Sequence, residues 1–283
     1  MSMRFLPLIL ALMSVCGGTA AWAKGDAMAK PRLLRGAPTE LKEELFAYWD
    51  RCTAGEGEAC VQLATAYEEG RGLKTNQPFA AALLQRACEM KHIRGCSRLG
   101  LRLYKGVNGT KDLPGAAKYL EMACEADQEM ACLNFGNLLV KGEGLEADPG
   151  RAADIFDTWC SRGHHRSCVR LGHLLREGKG TEAAPEKAHQ SYVQACDGND
   201  YEGCYWAGYM AATGKSGSLD YVGAQDWLDK ACVDGHLGYA CYFGGMLNEK
   251  GMGPGTSRRR ALQLYRKGCE FKDAKSCEKA AAR

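Results

Sequence analysis

A chain of 283 residues with 37 Lys and Arg against 34 Asp and Glu, the two signs interleaved, has no basic stripe for a phosphate backbone to follow, so no nucleic-acid partner is expected. Hydrophobic residues at 46% and charged residues at 25% exclude a disordered chain. The 35 glycines against 8 prolines, and the 15 cysteines, point to something more regular than two ordinary globular domains.

The start of the chain reads as an export signal. Residues 1–4 are short and basic, residues 5–15 are apolar, and Ala21, Trp22 and Ala23 form an A-x-A cleavage signature before Lys24. Gly17, Gly18 and Thr19 interrupt the apolar run well short of the roughly 20 residues a membrane anchor needs, so no transmembrane segment is expected after cleavage. Val15 precedes Cys16, where a lipoprotein signal would place a small residue. Removal of residues 1–23 takes Cys16 with it and makes the odd cysteine count even, as suits an oxidised periplasmic or secreted protein. Residues 24–36 then read as a short linker and 37–283 as the folded body.

The other cysteines fall into pairs: Cys52 and Cys60, Cys88 and Cys96, Cys124 and Cys132, Cys160 and Cys168, Cys196 and Cys204, Cys232 and Cys241, Cys269 and Cys277. First members recur every 36 residues, with one step of 37 after the pair that encloses an extra residue, Cys232 and Cys241. Such a period is the mark of a repeat protein. Eight residues before the first cysteine stand Ala80, Ala116, Ala152, Ala188, Ala224 and Ala261. Four before it stand Tyr48, Leu84, Leu120, Phe156, Tyr192, Leu228 and Tyr265, which completes one stripe of a helix.

A second helix follows the second cysteine, with Leu63, Leu99, Phe135 and Leu171 at three residues and Ala64, Gly100, Gly136, Gly172, Gly208 and Gly245 at four. Glycine inside a helix costs about 1 kcal/mol against alanine, so its recurrence predicts a neighbour too close for a side chain. Glycine-rich turns, such as Gly142-Glu143-Gly144 and Gly178-Lys179-Gly180, end these helices. Pro78, Pro114, Pro149 and Pro185 open the next ones, where a missing amide hydrogen is tolerated. Each cysteine pair then bridges the turn from one helix to the next, and closing so short a loop stabilises by about 2.5 kcal/mol. C-x-x-C, the usual redox spacing, is absent, and zinc would use shorter spacings, so the bridges are expected to be structural, with no metal or cofactor.

The 36-residue unit, with its alanine eight before the first cysteine, its Leu-Gly or Phe-Gly after the second and its Gly-x-Gly turn, resembles the Sel-one-like repeat, a relative of the tetratricopeptide repeat. The recurring C-x7-C narrows the resemblance to the Helicobacter cysteine-rich protein family and covers residues 48–277. It implies an all-α, right-handed α/α solenoid of about seven disulfide-stapled helix pairs. It also implies an exported scaffold that binds a protein, peptide or cell-wall fragment in a concave groove. The alternative it carries is a weak β-lactam-binding protein with slow β-lactamase activity.

No catalytic residue is assigned. Ser276 and Lys279 form the single S-x-x-K, a chance match, because S-D-N and K-T-G are missing. Gly142, Gly144 and Ala147, like Gly178, Gly180 and Ala183, fit a dinucleotide fingerprint that requires a preceding strand, and here helices precede. His92, His164 and His236 stand four after the first cysteine in alternate units, too far apart along a solenoid to share a metal, and are expected to serve as turn or capping residues. Two after the second cysteine stand Gln62, Arg98, Asn134, Arg170, Trp206 and Phe243, so the face changes from basic and polar to aromatic. Tyr201, Tyr205, Tyr209, Tyr239 and Tyr242 crowd the same later units. Two readings remain for these rings: compensation for the small Ala207 and Gly244, or contact with a peptide or sugar. The residues expected to bind a ligand are Arg98, Asn134, Arg170, Trp206 and Tyr209.

Overall fold

The computed structural model describes residues 30–33, 35–106 and 111–282. The expected signal peptide with Cys16, and residues 24–29 of the expected linker, lie outside the described residues. Among those described, fourteen helices follow one another: α1 (Thr39–Thr53), α2 (Gly57–Glu69), α3 (Gln77–Glu89), α4 (Ile93–Lys105), α5 (Leu113–Glu125), α6 (Glu129–Lys141) and α7 (Pro149–Ser161). The second half continues with α8 (His165–Glu177), α9 (Pro185–Asp197), α10 (Tyr201–Thr213), α11 (Tyr221–Val233), α12 (Gly238–Glu249), α13 (Arg258–Glu270) and α14 (Ala274–Ala281). Each helix packs on the next, which makes the right-handed α/α solenoid that the repeat predicts. An antiparallel bridge between Leu33 and Leu73 ties part of the expected linker to the first repeat.

The recurring glycines and the recurring large residues are two halves of one contact. A Cβ placed on Gly100 would lie 2.7 Å from Leu120 Cγ, on Gly136 2.5 Å from Phe156, on Gly172 2.6 Å from Tyr192, on Gly208 2.7 Å from Leu228 and on Gly245 2.6 Å from Tyr265. The even helices from α4 to α12 each offer a hole, and the following odd helix fills it with a side chain that is at most 1% exposed. The sequence suggested close approach of a whole helix. At most of these positions a buried side chain is what excludes the methyl group.

The opposite junction, from odd helix to even helix, is stapled. Seven disulfides join the cysteine pairs in the expected connectivity, with Cα–Cα distances from 4.5 to 4.7 Å, inside the usual range. The turn beneath six of the seven staples contains a residue with positive φ three after the first cysteine, among them Lys91 (60°), Asp127 (56°) and Asn199 (62°). The one-residue insertion moves this place. Asp234 keeps helical dihedrals (φ −82°, ψ −39°), so the left-handed residue becomes His236 (φ 52°) and Leu237 precedes α12. His236 is therefore no counterpart of His92 and His164, which stand at the N-cap positions of α4 and α8.

Among the odd helices from α3 to α13, side chains cap every start but one. Asn76, Asp112, Asp148, Asp220 and Ser257 accept a hydrogen bond from the backbone N–H three residues on, whereas Ala184 opens α9 with no side-chain cap. Its dihedrals, φ −136° and ψ 76°, match those of Asp148, −137° and 77°. In the Gly-x-Gly turns, Gly144 (φ 81°) and Gly180 (φ 75°) lie against the backbone of Leu113 and Pro149, one repeat earlier. Their role is packing, which disposes of the dinucleotide fingerprint.

Two substitutions test this account by chemical denaturation. Gly136→Ala should lose about 1 to 2 kcal/mol, because overpacking against Phe156 outweighs the gain in helix propensity. Ala184→Asp should gain about 1 kcal/mol by supplying the missing cap.

Candidate functional site

The even helices carry the residues two after the second cysteine. In the first half of the solenoid those residues are engaged within the protein, Arg98 by a neighbouring helix and Gln62 and Asn134 by their own. Arg98 on α4 donates to Thr65 Oγ1 (2.6 Å) and Glu68 (2.6 Å) on α2, and Arg102 donates to Glu68 (2.7 Å) and Gln77 Oε1 (2.6 Å). One carboxylate, 18% exposed, thus holds two guanidinium groups. Gln62 donates to Glu58 (2.6 Å), and Asn134 donates to the Met130 carbonyl of its own helix (2.6 Å). The histidines at the N-cap positions reach back one repeat, His92 to Glu58 (3.1 Å) and His164 to Glu129 (3.0 Å). Burial lowers the His164 pKa against the pull of Glu129.

From α8 onward the same face becomes aromatic. Trp206 on α10 stacks with Tyr192 (centroids 6.0 Å apart, planes at 24°) and meets the edges of His173, Tyr205 and Tyr209 at 5.3, 5.2 and 5.6 Å. Tyr205 continues to Tyr239 (4.6 Å), and Tyr209 to Phe243 on α12 (5.4 Å). Two of the crowded rings lie elsewhere: Tyr201 packs under Gly235 and Tyr242 faces Tyr265. A Cβ on Gly244 would meet Leu264 and Leu228 at 3.5 and 3.8 Å, so leucines adjoin that glycine and the rings pack on one another.

Beside this cluster, Arg176, Tyr205, Trp206, Tyr209 and Lys215 line a recess of about 440 Å³. The Arg176 guanidinium lies 4.1 Å from the Trp206 ring centroid, and Lys215 Nζ lies 5.3 Å from the Tyr209 centroid and 3.4 Å from its hydroxyl. Burial raises the Tyr205 pKa and pushes Tyr239 up to about 12, so both phenols stay protonated and able to donate. On the flank, Glu202 accepts from His173 (3.4 Å) and lies 3.9 Å from Arg170. The His173 hydrogen bond, followed by the Arg170 charge, lowers the Glu202 pKa despite partial burial.

Of the expected binding residues, the structure brings Trp206 and Tyr209 together, puts Arg170 at their flank through Glu202, and leaves Arg98 and Asn134 in earlier repeats. Sequence reasoning missed Arg176 and Lys215. A signal for Arg176 was present. The residue eight after the second cysteine meets the residue two after it in the next repeat, thirty positions on, as Glu68 meets Arg98 and Glu249 meets Lys279. Arg176 and Trp206 are the same two columns.

That register also explains the S-x-x-K. Lys279 fills the charged column and donates to Glu249 (3.2 Å). Ser276 is 0% exposed and occupies the small-residue column beside the second cysteine, packed on Gly268. The pair is not arranged as nucleophile and base. Among the described residues no three His, Cys, Asp or Glu side chains converge as metal ligands, and no helix is long and apolar enough to cross a membrane.

Comparison with known proteins gives a consistent family. A search of the curated proteins finds no match. Among solved structures, a protective antigen of uropathogenic Escherichia coli displaying an SLR fold superposes with a TM-score of 0.74 at 21% identity, covering 84% of this chain and 51% of its own. The chain thus spans about half the length of that antigen. A Sel1 repeat protein from Oxalobacter formigenes gives 0.66 at 18% identity, over 80% of this chain and 96% of its own. Cysteine rich protein B of Helicobacter pylori matches at 27% identity over 47% of this chain and 95% of its own, with a TM-score of 0.37. The Sel1 repeat family model matches six times, at residues 57–92, 93–128, 130–164, 165–200, 202–236 and 237–270, each unit opening on an even helix, so the staples join adjacent repeats and the chain belongs to the Sel1 repeat family.

Proposed function

We propose that this chain is an exported, disulfide-stapled scaffold that binds a protein or peptide partner on the face of its even helices, with the recess lined by α8, α10 and the turn after α10 as the principal contact. One observation carries the reading. The columns that close into ion pairs at Glu68 and Arg98 are occupied at Arg176 and Trp206 by groups that leave a recess lined with part-exposed rings. Rings of this kind contribute large contact area at low conformational cost, the usual composition of a binding centre. Sel1 repeats act as interaction modules, which supports a binding role over a catalytic one.

Seven disulfides suit an oxidising compartment and support a position outside the cytoplasm. Removal of residues 1–23 as a signal peptide fits the same reading. A cell-wall fragment would use the same rings as stacking platforms, but no feature of the recess favours a sugar over a peptide. The β-lactamase alternative has no support from Ser276, which is buried, or from Lys279, which is paired with Glu249.

Selection of random displayed dodecapeptides on the immobilised, oxidised chain tests the proposal. Sequences should be enriched on the native chain and lost on the Trp206→Ala, Tyr209→Ala double variant. No enrichment, or enrichment that survives in the double variant, would overturn it.

A further inference from the structure

The chemistry of the recess narrows the partner. A cage of aromatic rings ordinarily suggests a cationic guest, because ring faces attract positive charge. Here the chain supplies its own cations. Arg176 lies over Trp206 and Lys215 lies by Tyr209, both at the rim of the same recess. A lysine, arginine or quaternary ammonium guest would meet like charge at those faces.

The nearby acids are occupied. Glu177 takes one Arg176 Nη2 donor at 2.6 Å, and Glu202 faces His173 and Arg170. A guanidinium has five N–H donors, so Arg176 keeps free ones. Lys215 is exposed, and among the described residues its ammonium is ion-paired to no carboxylate. The Tyr205 and Tyr209 hydroxyls at the same recess can donate hydrogen bonds, and the ring edges carry the positive side of the aromatic quadrupole.

We infer that the recess lined by Arg176, Tyr205, Trp206, Tyr209 and Lys215 binds a carboxylate of a peptide partner, with a neighbouring apolar side chain of that peptide lying on the rings. The inference rests on the proposed scaffold function and deepens it. A carboxylate reaches the site from either of two sources, an acidic side chain or a free C-terminus. Binding to a guanidinium beside apolar rings gains from partial desolvation and is weakened by salt.

Calorimetric titration with short acetylated peptides tests this. Three share one shape: Phe-Glu-Phe-Asp amide carries side-chain carboxylates only, Phe-Gln-Phe-Asn acid carries the terminal carboxylate only, and Phe-Gln-Phe-Asn amide carries none. The cationic counterpart is Phe-Lys-Phe-Lys amide. At least one carboxylate peptide should bind about tenfold more tightly than the neutral amide, and whichever does so identifies the source. Lys215→Gln, at an exposed position, and Arg176→Gln should each reduce that preference, Lys215→Gln while leaving the far-UV melting curve unchanged. Equal binding of the neutral amide, tighter binding of the cationic peptide, or a preference that survives both substitutions would overturn the inference.

Failure of all four peptides where display-selected peptides bind would remove the carboxylate assignment and leave the scaffold reading intact. Failure of selected peptides as well would remove both. Binding of a chitin tetrasaccharide in place of any peptide would overturn the inference in favour of a glycan.

Discussion

A large side chain seated in the gap left by a glycine on the preceding helix sets the spacing of consecutive helices, and the rest of the solenoid inherits that spacing. Phe156 over Gly136 and Tyr192 over Gly172 are the fullest examples. An isolated helix pair has little apolar surface to bury, so each junction must be close-packed to offset the entropy of ordering its residues. The second junction of each repeat solves the same problem differently. Small residues such as Gly95 against Ala87 and Gly203 against Ala195 let the backbones approach, and a disulfide prevents them from separating. Close packing therefore alternates with covalent closure along the whole chain.

Because both junctions repeat with nearly constant geometry, the same pair of columns meets between α2 and α4, between α8 and α10, and between α12 and α14. Glu68 with Arg98 and Glu249 with Lys279 use this meeting as an ion pair, and Arg176 with Trp206 uses it as a cation over a ring. Partly exposed ion pairs contribute little stability. Their physical consequence on this face is closure, since donors and acceptors that satisfy each other attract no third group. Replacing the acid by Arg176 and the base by Trp206 leaves donors unspent and rings part-exposed, and one rung of the ladder becomes a recess.

The period, the staples, the glycine holes and the N-terminal prolines were legible in the sequence because each depends on spacing along one helix or across one turn. Lys215 was not, because it sits in the turn after α10 and reaches Tyr209 only through the local fold. Arg176 was legible in principle, but only by pairing columns of different repeats, which requires knowing that two even helices lie side by side. His236 shows the reverse failure. Counting from the first cysteine aligned it with His92 and His164, yet the extra residue is absorbed in the turn after α11, where the C-cap Asp234 keeps helical dihedrals, and structural equivalence follows the left-handed turn residue instead of the count.

The recess draws its parts from α8, α10 and the turn that follows α10, and its rings are backed by Tyr239 and Phe243 of α12. Nothing within one helix pair fixes those parts relative to one another. Their relative positions depend on the fit of Tyr192 into Gly172 and Leu228 into Gly208, and on the bridges Cys196–Cys204 and Cys232–Cys241 that flank α10 and α12. A site assembled across repeats is pre-organised only as far as the stack is rigid, and a rigid site loses less entropy when it binds. The staples, which carry no binding group of their own, thereby set how well the rings and cations of the recess can act together.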